Sequence, residues 1–146
     1  MRRVAACALV LAGTVARFAP AAATANWTYT CNAGDKKIEL DVSLIFNQGT
    51  AGRISVTEAD GTVRRSGKDS TDDDSVDFGA DDVEQFWTTD DTFRIAFSAY
   101  RGEESEPARL VIDTACKALR CTGTYRYTRQ GRNEMGAVVC DSDEKG

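Results

Sequence analysis

The chain has no histidine among its 146 residues. That excludes Ser-His-Asp and Cys-His triads and every His-ligated zinc or haem site. It also lacks the G-x-S-x-G, G-x-x-x-x-G-K-[ST] and H-E-x-x-H patterns, and no cofactor motif replaces them. A nucleophile needs an activating base, and no spacing here supplies one. Paired carboxylates could in principle run glycoside hydrolysis. The chain is short for a glycosidase cleft, however, and its acids crowd into one stretch. The expectation is a non-catalytic protein without a cofactor. No internal repeat or domain boundary is visible, and the length fits one domain.

What is present begins with an address. Met1-Arg2-Arg3 is followed by the apolar run Val4 to Val15 and by small residues ending Ala23-Thr24-Ala25. A basic start, a short apolar centre and a small-residue end read as a secretory signal peptide over 1–25. The apolar stretch falls short of the roughly 20 residues a bilayer span requires, and Arg17 blocks its extension. Cys7 lies too near the start for a lipoprotein signal. Cleavage after Ala25 would leave 121 residues; Ala21-Ala22-Ala23 offers a second site. Removing Arg2, Arg3 and Arg17 takes no acid, so the net charge moves from −5 to −8. An acidic exported domain, periplasmic or secreted, is a poor nucleic-acid binder, because phosphate contacts need a basic surface.

Cys7 would leave with the signal, and Cys31, Cys116, Cys121 and Cys140 would remain. An even number in an exported chain implies two disulfides. Cys31–Cys140 with Cys116–Cys121 is the favoured pairing. The first ties the opening strand to the closing one, and the second brackets the turn Lys117 to Arg120. The runner-up joins Cys121 to Cys140, which a hairpin turning at Gln130-Gly131 sets opposite each other. The separations of 85, 5 and 19 positions contain no C-x₂-C pair, so a zinc site is not expected.

The rest of the chain reads as strands. Trp27, Tyr29 and Cys31 alternate with threonines. Ile38, Leu40, Val42, Leu44 and Phe46 take every second place, which puts all five on one face of a strand and scatters them around a helix. Ile54 and Val56 alternate with polar residues. Asp60-Gly61 then reads as a hairpin turn, with 62–65 as the return strand. Phe93, Ile95, Phe97 and Ala99 share a face, as do Leu110 and Ile112. Strands at 119–127 and 135–140 flank a turn at 130–133, and the tail over 142–146 is expected to fray. Seven or eight short strands without a long amphipathic helix predict an all-β fold: a small antiparallel meander barrel of lipocalin or avidin type, or a sandwich, over 26–141.

Residues 69–91 hold ten acids and no base. Asp81-Asp82-Val83-Glu84 has the form of a capping box and predicts a short helix near 82–87. Three readings compete for the acids: a solvated loop, a docking surface for a basic protein made by Asp72, Asp73, Asp74, Asp77, Asp81 and Asp82, and a calcium site. The spacing does not fit an EF-hand loop, and no metal is assigned. The C-terminal third is basic. Arg126, Arg129 and Arg132 beside Tyr125 and Tyr127 form a candidate anion or carbohydrate site, the alternative being core tyrosines with arginines coating the exterior.

Tyr29-Thr30-Cys31, Ser66-Gly67 and Phe86-Trp87-Thr88 resemble short pieces of the bacterial C-type lysozyme inhibitors. Those are small exported barrels that present a Ser-Gly loop and an acidic surface to a basic enzyme. The match spans eight residues. The stretch from Ser66-Gly67 to Phe86-Trp87 is longer and more acidic than in that family, and about fifty residues with three cysteines follow where that family stops soon after, so membership is not assigned. Two classes therefore stand: a protein-binding or inhibitor-type module using an acidic surface, and a carrier of a small apolar ligand in a barrel cavity. The inward set Leu44, Phe46, Phe93, Phe97, Leu110 and Ile112 would serve a hollow barrel or a filled core.

Overall fold

The computed structural model describes residues 25–35, 38–49, 53–66 and 75–143. The signal-peptide reading of 1–25 lies outside them except for Ala25, the first residue of the first strand. Nine strands follow in order: β1 (Ala25–Gly34), β2 (Ile38–Gln48), β3 (Ile54–Arg65), β4 (Ser75–Gly79), β5 (Val83–Thr88), β6 (Thr92–Ala99), β7 (Ala108–Lys117), β8 (Arg120–Arg129) and β9 (Arg132–Ser142). They form one nearly closed, barrel-shaped antiparallel sheet, as the alternation predicts. Its spatial order is β4-β3-β2-β1-β9-β8-β7-β6-β5, so first and last strands meet in the middle and the open seam falls between β4 and β5.

Counting directions around the sheet explains the odd strand number. Every pairing is antiparallel, so β4 and β5 run the same way. They are two halves of one crossing. The first half pairs with β3 and the second with β6, and a 3-10 turn at Ala80–Asp82 steps between them. The topology is an eight-step up-and-down meander with a divided fourth step.

That turn corrects the helix expected near 82–87. Half of a capping box exists, Gly79 N–H donating to Asp82 Oδ2 at 2.8 Å, and the helical stretch ends at Asp82. Val83 to Thr88 is strand because β-branched and aromatic residues there pair along β6, with Phe86 opposite Ile95.

The Asp60-Gly61 turn is also corrected: 54–65 is one unbroken strand. Gly61 is buried opposite Val42, and a Cβ there would meet Val42 at 3.1 Å and Phe78 at 3.7 Å, so glycine serves packing rather than reversal. A bulge explains the misreading. Phe46 pairs with Val56 and Ile45 with Glu58, leaving Thr57 as an extra residue whose hydroxyl donates to the Ile45 carbonyl at 3.1 Å. An extra residue shifts the side-chain phase by one. Ile54 and Val56 face inward before it, and Ala59, Gly61 and Val63 face inward after it.

The lumen is filled. Tyr29 of β1 stacks on Phe93 of β6 across the barrel at 4.2 Å, and Phe46 packs edge-on against Tyr29, Phe86 and Phe93 at 5.4–6.1 Å. Phe78 and Phe97 meet at 5.5 Å nearer the other end. All six residues of the predicted inward set are fully buried. Both favoured disulfides, Cys31–Cys140 and Cys116–Cys121, are formed. Of the tail expected to fray over 142–146, the first two residues are ordered and the rest lie outside the described residues. β9 includes Ser142, and Asp143 N–H bonds to the Thr28 carbonyl at 3.0 Å.

Candidate functional site

Strand alternation sorts charge as well as apolar surface. With Leu40, Val42 and Leu44 inward, Glu39 and Asp41 of β2 point out. On β3 and β4 the outward acids are Glu58, Asp60 and Asp77. Register sets them side by side: Asp60 opposite Ser43, Asp41 opposite Thr62, and Thr62 opposite Asp77. Thr62 donates its hydroxyl to Asp77 at 2.8 Å. An open groove runs along this face between Glu39, Asp41, Ser43, Asp60, Thr62 and Arg64.

The opposite wall carries charges of both signs, and its outward acids Glu84, Asp113 and Asp141 are each met by an arginine. Arg109 reaches Glu84 at 2.7 Å, Arg120 reaches Asp141 at 3.6 Å, and Arg94 reaches Asp113 at 3.8 Å. Among the described residues, Glu39, Asp41, Glu58 and Asp60 form no ion pair. The β2–β4 face is thus the unbalanced acidic territory of the barrel wall.

Of the acids singled out in the sequence, Asp72, Asp73 and Asp74 lie outside the described residues. Asp77 belongs to the acidic face, and Asp81 is exposed on the 3-10 turn beside it. Asp82 is committed internally, accepting from Gly79 and lying 3.7 Å from Arg101. Glu39, Asp41, Glu58 and Asp60 were missed, because in the sequence they serve only as polar separators between apolar strand residues. The signal that finds them is the alternation itself, read for its outward half.

The three arginines proposed for an anion do not converge. Arg126 is exposed on the outer face of β8, whereas Tyr125, Tyr127 and Arg129 follow the inner face. Arg132, opposite Arg129 across the β8–β9 turn, is exposed. Arg129 is committed to Glu104 in the β6–β7 loop at 2.7 Å, with side chains 13% and 16% exposed. Gln130 donates to the same Glu104 oxygen at 3.1 Å. The hydrogen bond from Arg129 holds the Glu104 carboxyl below its ordinary range, and Glu104 in turn raises Arg129. Burial, the largest influence on each, raises the phenols of Tyr127 and Tyr125; Tyr125 also donates to Asp35 at 2.7 Å. These contacts tie loop, hairpin and barrel end together. The tyrosines are core, and of these three arginines Arg126 and Arg132 coat the exterior.

Ser66 lies at the end of β3, Gly67 lies outside the described residues, and Phe86-Trp87-Thr88 lies in β5 with Phe86 turned toward the core. No helix among the described residues is long and apolar enough to cross a membrane. Compared with known protein families, curated proteins and solved structures, the chain matches none of them.

Proposed function

We propose that this is an exported, non-catalytic β-barrel module that binds a basic protein through the outer face of β2, β3 and β4. One observation carries the reading: Glu39, Asp41, Glu58, Asp60 and Asp77 are exposed together on one wall, with Arg64 as the base among them. Such a field steers a cationic partner and raises its association rate in a salt-dependent way. Asp72, Asp73 and Asp74 belong to the segment between β3 and β4 and add three acids to the sequence there. Two disulfides fit an oxidising compartment and support export. The rings that cross the lumen support a surface role over the carrying of an apolar ligand.

The test is association with cationic proteins, exported and host-defence ones first, at two salt concentrations. Asp41→Asn/Asp60→Asn/Asp77→Asn and, separately, Asp72→Asn/Asp73→Asn/Asp74→Asn are compared with the unaltered protein. Binding should weaken about tenfold or more in the first variant and at the higher salt. Binding that ignores both salt and the wall variant would overturn the proposal.

A further inference from the structure

Four of the five cysteines, Cys31, Cys116, Cys121 and Cys140, form one row. Cys116 of β7 is opposite Cys121 of β8, Cys121 is opposite Cys140 of β9, and Cys140 is opposite Cys31 of β1. Directly paired residues of an antiparallel ladder project to the same face, and this row faces the barrel interior. The existing disulfides join the outer pairs, each with Cα atoms 3.9 Å apart. Two-residue turns at 118–119 and 130–131 place Cys116/Cys121 at a closely spaced pair and Cys121/Cys140 at a hydrogen-bonded one. A hydrogen-bonded pair has Cα atoms about 5.5 Å apart, inside the roughly 4.4–6.8 Å that a disulfide spans. The register therefore permits a middle bond, with the Cβ atoms of Cys121 and Cys140 drawing about 1 Å closer than in an undisturbed pair.

Access to the row is one-sided. Cys31 and Cys140 are 0% exposed and Cys121 is 1% exposed, whereas Cys116 is half-buried. Cys116 opens onto a cleft at the barrel end, between Thr89, Asp90, Ala118 and Leu119. Its backbone N–H is held by the Asp91 carbonyl at 2.7 Å, so the turn at Asp91 lies on the side of Cys116 away from Cys121.

We propose that this cleft is a thiol–disulfide exchange site, and that the row relays the exchange to the buried disulfide. Its substrate class is a dithiol. A thiolate arriving from the Asp91 side attacks Cys116 Sγ. The Cys116–Cys121 bond breaks, and its electron pair leaves on Cys121. Displacement at sulfur requires the attacking thiolate opposite the leaving one. Cys121 stands on the side of Cys140 opposite Cys31, so its thiolate attacks Cys140 Sγ. The Cys121–Cys140 bond forms, the Cys31–Cys140 bond breaks, and Cys31 takes up a proton. The dithiol's second thiol then closes on its first sulfur and releases Cys116. In sum, one dithiol is oxidised to its disulfide, two protons pass to Cys116 and Cys31, and the protein keeps one disulfide in the middle of the row.

The experiment treats the folded, oxidised protein with about one equivalent of dithiothreitol, quenches in acid, alkylates and maps the peptides. The expected products are alkylated Cys116 and Cys31 with a Cys121–Cys140 linked peptide. Alkylation confined to Cys116 and Cys121, with Cys31–Cys140 intact throughout, overturns the relay; so does alkylation of Cys31 together with Cys140. In Cys116→Ser/Cys121→Ser, Cys31 should become alkylatable about tenfold or more slowly than in the unaltered protein, because the remaining buried disulfide loses the Cys121 thiolate that relays the attack. An equal rate overturns it. Should that variant fail to fold, the peptide map of the unaltered protein decides alone.

Discussion

At the scale of residues, two positions make the physical argument measurable. Gly123 faces inward opposite Thr114, and a Cβ there would lie 2.0 Å from the Asp113 carbonyl oxygen and 2.7 Å from Thr114 Cα. Both are backbone atoms of the neighbouring strand, so no side-chain rotation relieves the clash. Gly123→Ala should cost about 3 kcal/mol or more in denaturant unfolding, at the upper end for overpacking. A cost below 1 kcal/mol would mean that β7 and β8 do not approach this closely. Glu104 gives a pH signature. Its carboxyl is held below the ordinary value by Arg129, so its contribution is complete above the unfolded glutamate range and is lost as pH falls through the lower folded value. Glu104→Gln should destabilise by about 1–2 kcal/mol at neutral pH and flatten the acid limb of the stability curve. An unchanged acid limb would contradict the assignment. Neither residue was legible in the sequence. Glu104 sits in a polar loop and gains its meaning only when the β8–β9 turn comes beside it.

At the scale of elements, legibility followed local regularity. β2 and β6 were readable because five and four apolar residues hold strict alternation without interruption. β3 was cut in two because the Thr57 bulge changes phase just before an Asp-Gly pair, and a bulge is defined by the partner strand, which sequence spacing does not show. The divided β4–β5 crossing was hidden for a similar reason. Capping residues were present, and whether they open a helix or a single turn depended on β6 offering Val83 to Thr88 an edge. The acidic wall was half legible, since alternation gives each acid a side but only register brings β2, β3 and β4 together. The bulge makes a prediction. Deleting Thr57 keeps Glu58 opposite Ile45 and Val56 opposite Phe46 while removing the extra residue. That deletion should retain the fold at a cost of about 1–2 kcal/mol, from lost bending and twist. Deleting Asp60 forces the phase change to be absorbed elsewhere and turns the Glu58 carboxylate inward, a far larger cost. Circular dichroism and thermal unfolding of the two deletions decide it; equal behaviour would sink the bulge assignment.

At the scale of the whole molecule, the barrel's continuity rests on its shortest join. β1 and β2 are paired over ten residues, but β1 and β9 over only four, Tyr29 to Asn32 against Val139 to Ser142. A meander that closes through its two terminal strands pays loop entropy for the whole chain at that contact. Cys31–Cys140 lies within it and spans a sequence separation of 109, whereas Cys116–Cys121 spans 5. In the chain-entropy model the first restrains the unfolded chain by about 4–5 kcal/mol and the second by about 2 kcal/mol. Cys31→Ser/Cys140→Ser should therefore lose roughly twice the stability of Cys116→Ser/Cys121→Ser in guanidinium unfolding. It should also speed native amide exchange first at Thr30 and Asn32 of β1, because the β1–β9 ladder becomes the weakest contact in the sheet. If the two double variants lose equal stability, or if exchange in the first rises evenly around the barrel, then the disulfide is not what closes it. The β1–β9 hydrogen bonds would then have to hold the ends by themselves.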